Sequence, residues 1–309
     1  MMGERIKSKP KFILFLRVGK AKDIRASYEK KKISIGCPAN WINYAKLHGN
    51  QTVGDSYECI FAHLAKDDLR IPDLLRICNQ EGRACSLLYE RLGDGSYLFR
   101  RRETVLTPVW CTYSFEYDKL LEVKKEEGRP NVRFDLSGFQ RTMGEENTGL
   151  LLIKTPTDFI NEVSRQIVDA VEENKAMLDL NKFQNPFDVS APILMKSVDY
   201  SRYDDNTIFE RWNKQELSEL FLKRRSYSYQ SEMRLEVSKV NFKSDSVDFG
   251  MDYKVNALDV YLPNFQSYTE IYTNGCADKL YFTDFCETDR ECKFRILDRF
   301  GNVIKADKS

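Results

Sequence analysis

Apolar residues in this chain fall into short runs, and their spacing switches between the period of a strand and that of a helix. Lys11 to Val18 (Lys-Phe-Ile-Leu-Phe-Leu-Arg-Val) is an apolar run of strand length, broken by one charge and ended by Gly19. Ala21 to Lys32 carries Asp23, Ile24 and Tyr28 at the spacing of a short helix, and Lys32 to Gly36 reads as a second short strand closed by Cys37-Pro38. Ala39 to Tyr44 then mixes aromatics with amides, and Gly49 to Asp55 has loop composition. Residues 59 to 92 read as mixed helix and loop. The Gly93-Asp94-Gly95-Ser96 turn signal, between Leu88-Tyr89 and Tyr97-Leu98-Phe99, predicts a hairpin.

Farther on, Thr107 to Tyr117 has strand composition, with Trp110, Thr112 and Ser114 on one face and Cys111, Tyr113 and Phe115 on the other, a two-sided pattern that suits a central strand. The charged stretch Glu122 to Arg129 reads as a surface excursion, after which Val132 to Leu136 and Leu150 to Lys154 resume as strands. Thr157-Asp158 is the predicted cap of a helix whose apolar positions run from Phe159 and Ile160 to Val171 and Leu178. A strand over 192–200 and a helix over 207–223 follow, and that helix delivers Lys223, Arg224 and Arg225 to a strand over 227–237. The tail holds strand-like pieces at 257–262, 279–282 and 293–297, and a hairpin signal at Arg299-Phe300-Gly301-Asn302. These elements predict one α+β domain over 1–309 on a split, mixed sheet with helical insertions. Its core would span about 11–240, with 241–309 as an extension packed on it.

Composition narrows the classes of function. With 309 residues, 42% hydrophobic and 12% aromatic, the chain can bury a substantial core and is not of disordered type. Forty-eight Lys and Arg against 47 Asp and Glu exclude a global field for polyanions, so any nucleic-acid contact must be a local patch. No apolar run reaches membrane-spanning length and the first residues lack the apolar core of a signal peptide, so a cytoplasmic protein without membrane contact is expected. Eight cysteines without a Cys-x-x-Cys pair, and only two histidines, lead to the expectation of no metal and no disulfide.

The stretch 223–236 carries the clearest candidate chemistry. On a strand Gln230, Glu232 and Arg234 share one face, placing an amide beside a carboxylate. The outer face of a solvated edge strand has the same composition, so this pattern leaves both readings open. Arg17, near the end of an apolar strand, needs either an anion or a structural ion pair. Trp41 and Tyr44 suit stacking on a planar ring or covering a core edge, and Arg100, Arg101 and Arg102 suit a solvated face or a phosphate patch.

Several of these pieces occur in a recognisable order: Phe-Leu-Arg (15–17), a helix, Ile-Ser-Ile-Gly-Cys-Pro-Ala-Asn-Trp (33–41), Gly-Asp-Ser-Tyr-Glu (54–58), Trp-Cys-Thr-Tyr-Ser (110–114) and Tyr-Gln-Ser-Glu-Met-Arg-Leu (229–235). That order resembles a widespread bacterial family whose layout is similar to DarT-like mono-ADP-ribosyltransferase toxins and their relatives in phage defence, and the Gln-x-Glu spacing resembles the signature of those enzymes. The chain departs from the family at 54–58, where Asn-Asp-Pro-Phe-Glu is common, which weakens any role for Asp55 and Glu58.

The resemblance implies NAD as substrate, with Glu232 gripping the nicotinamide ribose and stabilising an oxocarbenium-like transition state. Gln230 would help place the acceptor. Arg17 would hold the pyrophosphate or the adenosine ribose, and Ser34 with Trp41 or Tyr44 would line the nicotinamide end. For the acceptor, the place of Gln230 in similar transferases, together with Lys223, Arg224 and Arg225 leading into the strand and Arg100 to Arg102 extending the same face, points to a nucleobase amino group, in RNA rather than DNA, with Tyr229 as a stacking surface and Arg224 and Arg225 on phosphates. An antitoxin or chaperone is the implied protein partner. A protein-modifying transferase, or a non-catalytic sensor or interaction protein on the same fold, is the alternative.

Overall fold

The computed structural model describes residues 11–48, 57–79, 87–128, 131–136, 148–179, 192–200, 219–223, 231–238, 240–243, 257–274, 277–286 and 291–307. They form an α+β protein with several antiparallel sheets. Internal contacts divide the chain into two compact units, each discontinuous in sequence: 1–33, 112–165 and 261–309 in the first, 34–111 and 166–260 in the second.

In the first unit the Phe12–Lys20 strand is central. It pairs antiparallel with the end of the Val109–Glu116 strand on one side and with Thr148–Ile153 on the other, and Thr269–Tyr272 adds to the latter. Alternation sends Leu14 and Leu16 to a core shared with Phe115, Leu150, Leu152 and Phe282. Phe15 points the other way, edge-on to Phe159. The Ala21–Glu29 helix lies against this sheet because Gly19 and Gly149 carry no side chain where Ile24 and Ala21 approach. A second antiparallel sheet orders the strands Val303–Ile304, Glu291–Leu297, Lys279–Cys286 and Val132–Asp135. The expected turn at 299–302 joins two of them, with Gly301 at φ +87.

The second unit contains the predicted 87–101 hairpin. Leu87–Arg91 and Tyr97–Arg101 pair antiparallel around a turn in which the Asp94 carboxylate accepts from the Ser96 N–H and hydroxyl and Gly95 takes φ +88. Ile60–Leu64 completes a three-stranded sheet on which Leu74 of the Ile71–Cys78 helix packs. The expectation of mixed helix and loop over 59–92 therefore missed a strand. Four of its five residues are apolar and His63 alone breaks the run, so alternation does not show, because both faces are covered.

One stretch that was given no element is placed, and two other expectations are corrected. The aromatic and amide stretch after Pro38 is a helix, Pro38–His48, started by a proline at its first position. The charged excursion at 122–129 is mostly the end of another helix, Tyr117–Glu127, stopped by Gly128 in the left-handed region; Tyr117 and Leu120 are its buried face. Leu178 belongs not to the long helix, Pro156–Glu173, but to a two-residue strand paired with Asn241–Phe242.

Of the expected 227–237 strand, 232–237 is described as a strand, and 227–230 lie outside the described residues, as does most of the expected 207–223 helix. Glu232–Val237 pairs antiparallel with Ile193–Ser197 and is buried on both faces. It is not a solvated edge. No helix in the described residues is long and apolar enough to cross a membrane.

Candidate functional site

The buried strand Glu232–Val237 carries two charges two positions apart, Glu232 and Arg234, on one face. Ionised side chains in such a place are tolerated only when paired and fully hydrogen-bonded. The second unit supplies the partners. Nε of Arg234 donates to Oε1 of Glu232 at 2.7 Å, and Nη2 bridges both oxygens of Glu58 at 3.0 and 2.8 Å. Nη1 donates to the carbonyl of Leu220, on the 3₁₀ turn Glu219–Phe221. The Trp41 ring lies 5.6 Å from the guanidinium carbon, within cation–π range. Lys223 Nζ donates to Oε2 of Glu232 at 2.8 Å and sits 3.4 Å from Oε1 of Glu58.

Two carboxylates and two cations thus form one electrically balanced cluster, with side-chain exposures of 7% for Glu232, 2% for Glu58, 0% for Arg234 and 10% for Lys223. The backbone N–H of Glu232 donates to the Tyr200 hydroxyl at 2.9 Å. Burial alone would push the Glu232 carboxyl up, but Arg234 and Lys223 outweigh it and hold it well below the usual carboxylate range. Burial works against the Lys223 charge, yet Glu232 and Glu58 hold its pKa above the ordinary lysine value. Glu232 is therefore an ionised, fixed carboxylate at neutral pH. Burial pushes the thiols of Cys59 and Cys111 up, and the neighbouring charges of Glu58 and Glu232 push the same way, so neither is a thiolate nucleophile.

Backbone strain accompanies both carboxylates. Cys59, directly after Glu58, has φ +57, and Ser231, directly before Glu232, has φ +41. These are two of the four non-glycine residues in the left-handed region among the described residues, a conformation that costs about 1–3 kcal/mol and persists where surrounding structure enforces it.

The other sequence candidates are placed as follows. Trp41 joins Glu232 in the cluster through Arg234, and Tyr44 lies half-buried one turn along the same helix. The exposed Ser34 hydroxyl donates to Asp259 at 2.5 Å. Arg17 belongs to the first unit, on the face of its strand that carries Phe15. Gln230, Tyr229, Arg224 and Arg225 lie outside the described residues.

The run Arg100 to Arg102 is not a solvated basic face. Arg100 is fully buried, donating to the Glu58 carbonyl at 3.0 Å and to Glu90 at 3.2 Å, and Glu90 also pairs with Lys46. Arg101 binds the buried Glu219 through Nε and Nη2 at 3.2 and 2.6 Å. Lys223, expected as one of the cations leading into the strand, is internal as well.

Glu58 is the residue that sequence reasoning set aside. The one signal was its place directly ahead of the largely apolar run Cys59–Leu64; that it is buried, and so needs a cation, shows only in the structure. Among the described residues no group of three or more His, Cys, Asp or Glu is arranged to hold a metal ion, and five thiols, Cys37, Cys59, Cys78, Cys111 and Cys292, are free. No family model matches this chain, and neither does any curated protein or solved structure.

Proposed function

We propose that the chain is an NAD-consuming mono-ADP-ribosyltransferase on an ADP-ribosyltransferase-like core, in which Glu232 is the carboxylate directed at the nicotinamide ribose. The observation that carries this reading is a carboxylate kept ionised in a buried cluster, with an aromatic ring within cation–π range of the arginine that fixes it. In the reaction the bond from ribose C1′ to the nicotinamide nitrogen breaks and nicotinamide leaves with the electron pair. A fixed negative charge nearby stabilises the positive charge that develops on the ribose, and the acceptor then bonds to C1′ and loses a proton. Each Glu232 oxygen accepts from one cation, so a ribose hydroxyl would use the second lone pair of Oε2 or take the place of Lys223 there. Glu58, 3.4 Å from the same ammonium, gives Lys223 a second anion to move to.

The acceptor we propose is a nucleobase amino group in RNA. Of the cations that argued for it, Arg100, Arg101 and Lys223 are engaged in internal ion pairs, so this part rests on Gln230, Arg224 and Arg225. The role we propose is that of a toxin or effector in phage defence or a toxin–antitoxin system, with an antitoxin as partner.

A second reading is favoured by the closure of the cluster: Arg234 is fully buried with all three guanidinium nitrogens engaged, as in a purely structural network of a non-catalytic interaction protein. One experiment separates the two. Wild type and Glu232→Gln are incubated with labelled NAD and cell lysate, and the products are digested separately with ribonuclease and protease. NAD consumption by wild type that disappears in a folded Glu232→Gln protein supports the transferase. Equal consumption by both, or none by wild type, rules it out, and label that resists ribonuclease but not protease moves the acceptor to protein.

A further inference from the structure

Among the described residues, two side chains have buried polar atoms with no hydrogen-bond partner: Asn43, at both Nδ2 and Oδ1, and Arg102, at Nε. A buried amide without partners has lost its hydration with nothing in exchange, so such groups in folded proteins are nearly always bonded to something. Asn43 is 3% exposed and sits on the inward face of the Pro38–His48 helix, beside the fully buried Ile42 and one turn from Ala39. Arg102 opens the Arg102–Leu106 helix and shares a face with the buried Val105 and Leu106. These two helices pack against each other. The first of them also carries Trp41, at the Arg234 guanidinium, and Lys46, paired with Glu90. Asn43 therefore lies on a helix already anchored to the charged cluster, and Arg102 on the helix packed against it.

We propose that Asn43 and Arg102 are the polar lining of a small-molecule subsite for a flat group with an adjacent hydrogen-bond donor and acceptor, the edge that a carboxamide or an adenine presents. An asparagine amide answers such an edge with two reciprocal bonds, and Nε–H of Arg102 donates to a neighbouring carbonyl, ring nitrogen or phosphate oxygen. The identity of the ligand rests on the NAD reading, because NAD carries both edges, one at each end.

Thermal unfolding of the full chain, with nicotinamide alone and with ADP-ribose alone, tests the subsite in wild type, Asn43→Leu and Arg102→Met. The expected result is that one probe raises the wild-type Tm, which assigns the end of NAD that binds, and that both variants lose this shift. Without a probe, Asn43→Leu should melt at or above wild type, because the unpaired amide is gone. Absence of any shift in wild type, or shifts of wild-type size in both variants, overturns the subsite. A probe-free Asn43→Leu protein that melts lower while wild type ignores both probes identifies an internal water as the partner, which also overturns it. NAD consumption is read separately: consumption with unaltered shifts in both variants removes the subsite and keeps the transferase, whereas lost shifts without consumption remove the transferase and keep the subsite.

Discussion

Arg234 and Glu58 lie 176 positions apart in the chain, yet one guanidinium nitrogen bridges both oxygens of the carboxylate where solvent does not reach. That contact ties the entry of the Ile60–Leu64 strand to the Glu232–Val237 strand, and Arg234 in turn holds Glu232.

Glu58→Gln should therefore destabilise the protein by about 3–5 kcal/mol, since Glu232 alone then faces both Arg234 and Lys223 and the buried cluster keeps one uncompensated positive charge. Replacing both partners, Glu58→Leu with Arg234→Met, should cost much less than the sum of the single changes. Urea unfolding of wild type, Glu58→Leu, Arg234→Met and their combination forms the double-mutant cycle, and additive losses would refute the coupling.

The pH dependence of stability follows from the direction of the Glu232 shift. Its folded pKa is depressed, so its contribution is complete above the unfolded value, about 4.3, and drains away as pH falls toward the folded value. Lys223 is shifted the other way: its contribution is complete below about 10.4 and is lost as pH rises through the elevated folded value. The stability gap between wild type and Glu232→Gln should be widest near neutrality and shrink below about pH 4.3. A gap that grows in acid would contradict the assignment.

Ser231 is exposed and held at φ +41. Relief of the left-handed strain, about 1–2 kcal/mol, outweighs the extra chain entropy of glycine, about 0.5–1 kcal/mol, so Ser231→Gly should gain about 0.5–1 kcal/mol. Ser231→Val, branched at Cβ, should lose stability. Melting temperatures that rank valine above glycine would show that the side chain, not the backbone, decides this position.

Gly149 faces the Ala21–Glu29 helix so closely that an added Cβ would come 2.8 Å from the Cα of Ala21 and 3.3 Å from the Cβ of Ile24. Backbone cannot yield as a flexible side chain would, so Gly149→Ala should cost about 1–3 kcal/mol. An unchanged urea midpoint would mean that the helix can lift off its sheet without loss.

Local chemistry was legible where one stretch of chain decides the outcome. The apolar run at 11–18, the turn at 93–96 and the helical spacing after Phe159 each appear where their patterns place them, with ends displaced by a few residues. The misread stretches share a cause. At Ile60–Leu64 burial on both faces erases alternation, and at Tyr117–Glu127 charges on the outer face hide a two-residue apolar stripe.

By itself the sequence determined that Glu232 and Arg234 share a face, because a strand repeats every two residues, and that Trp41 and Asn43 ride one short segment after Pro38. Only the tertiary structure decided that this face is buried, that the counterion of Arg234 is Glu58, and that Arg100, Arg101 and Lys223 are spent on internal carboxylates instead of facing solvent. The physical reason is that a charge carries no mark of its partner along the chain. Desolvation and Coulomb energy depend on distance in space, and folding alone brings residues 58, 223, 232 and 234 within hydrogen-bonding reach.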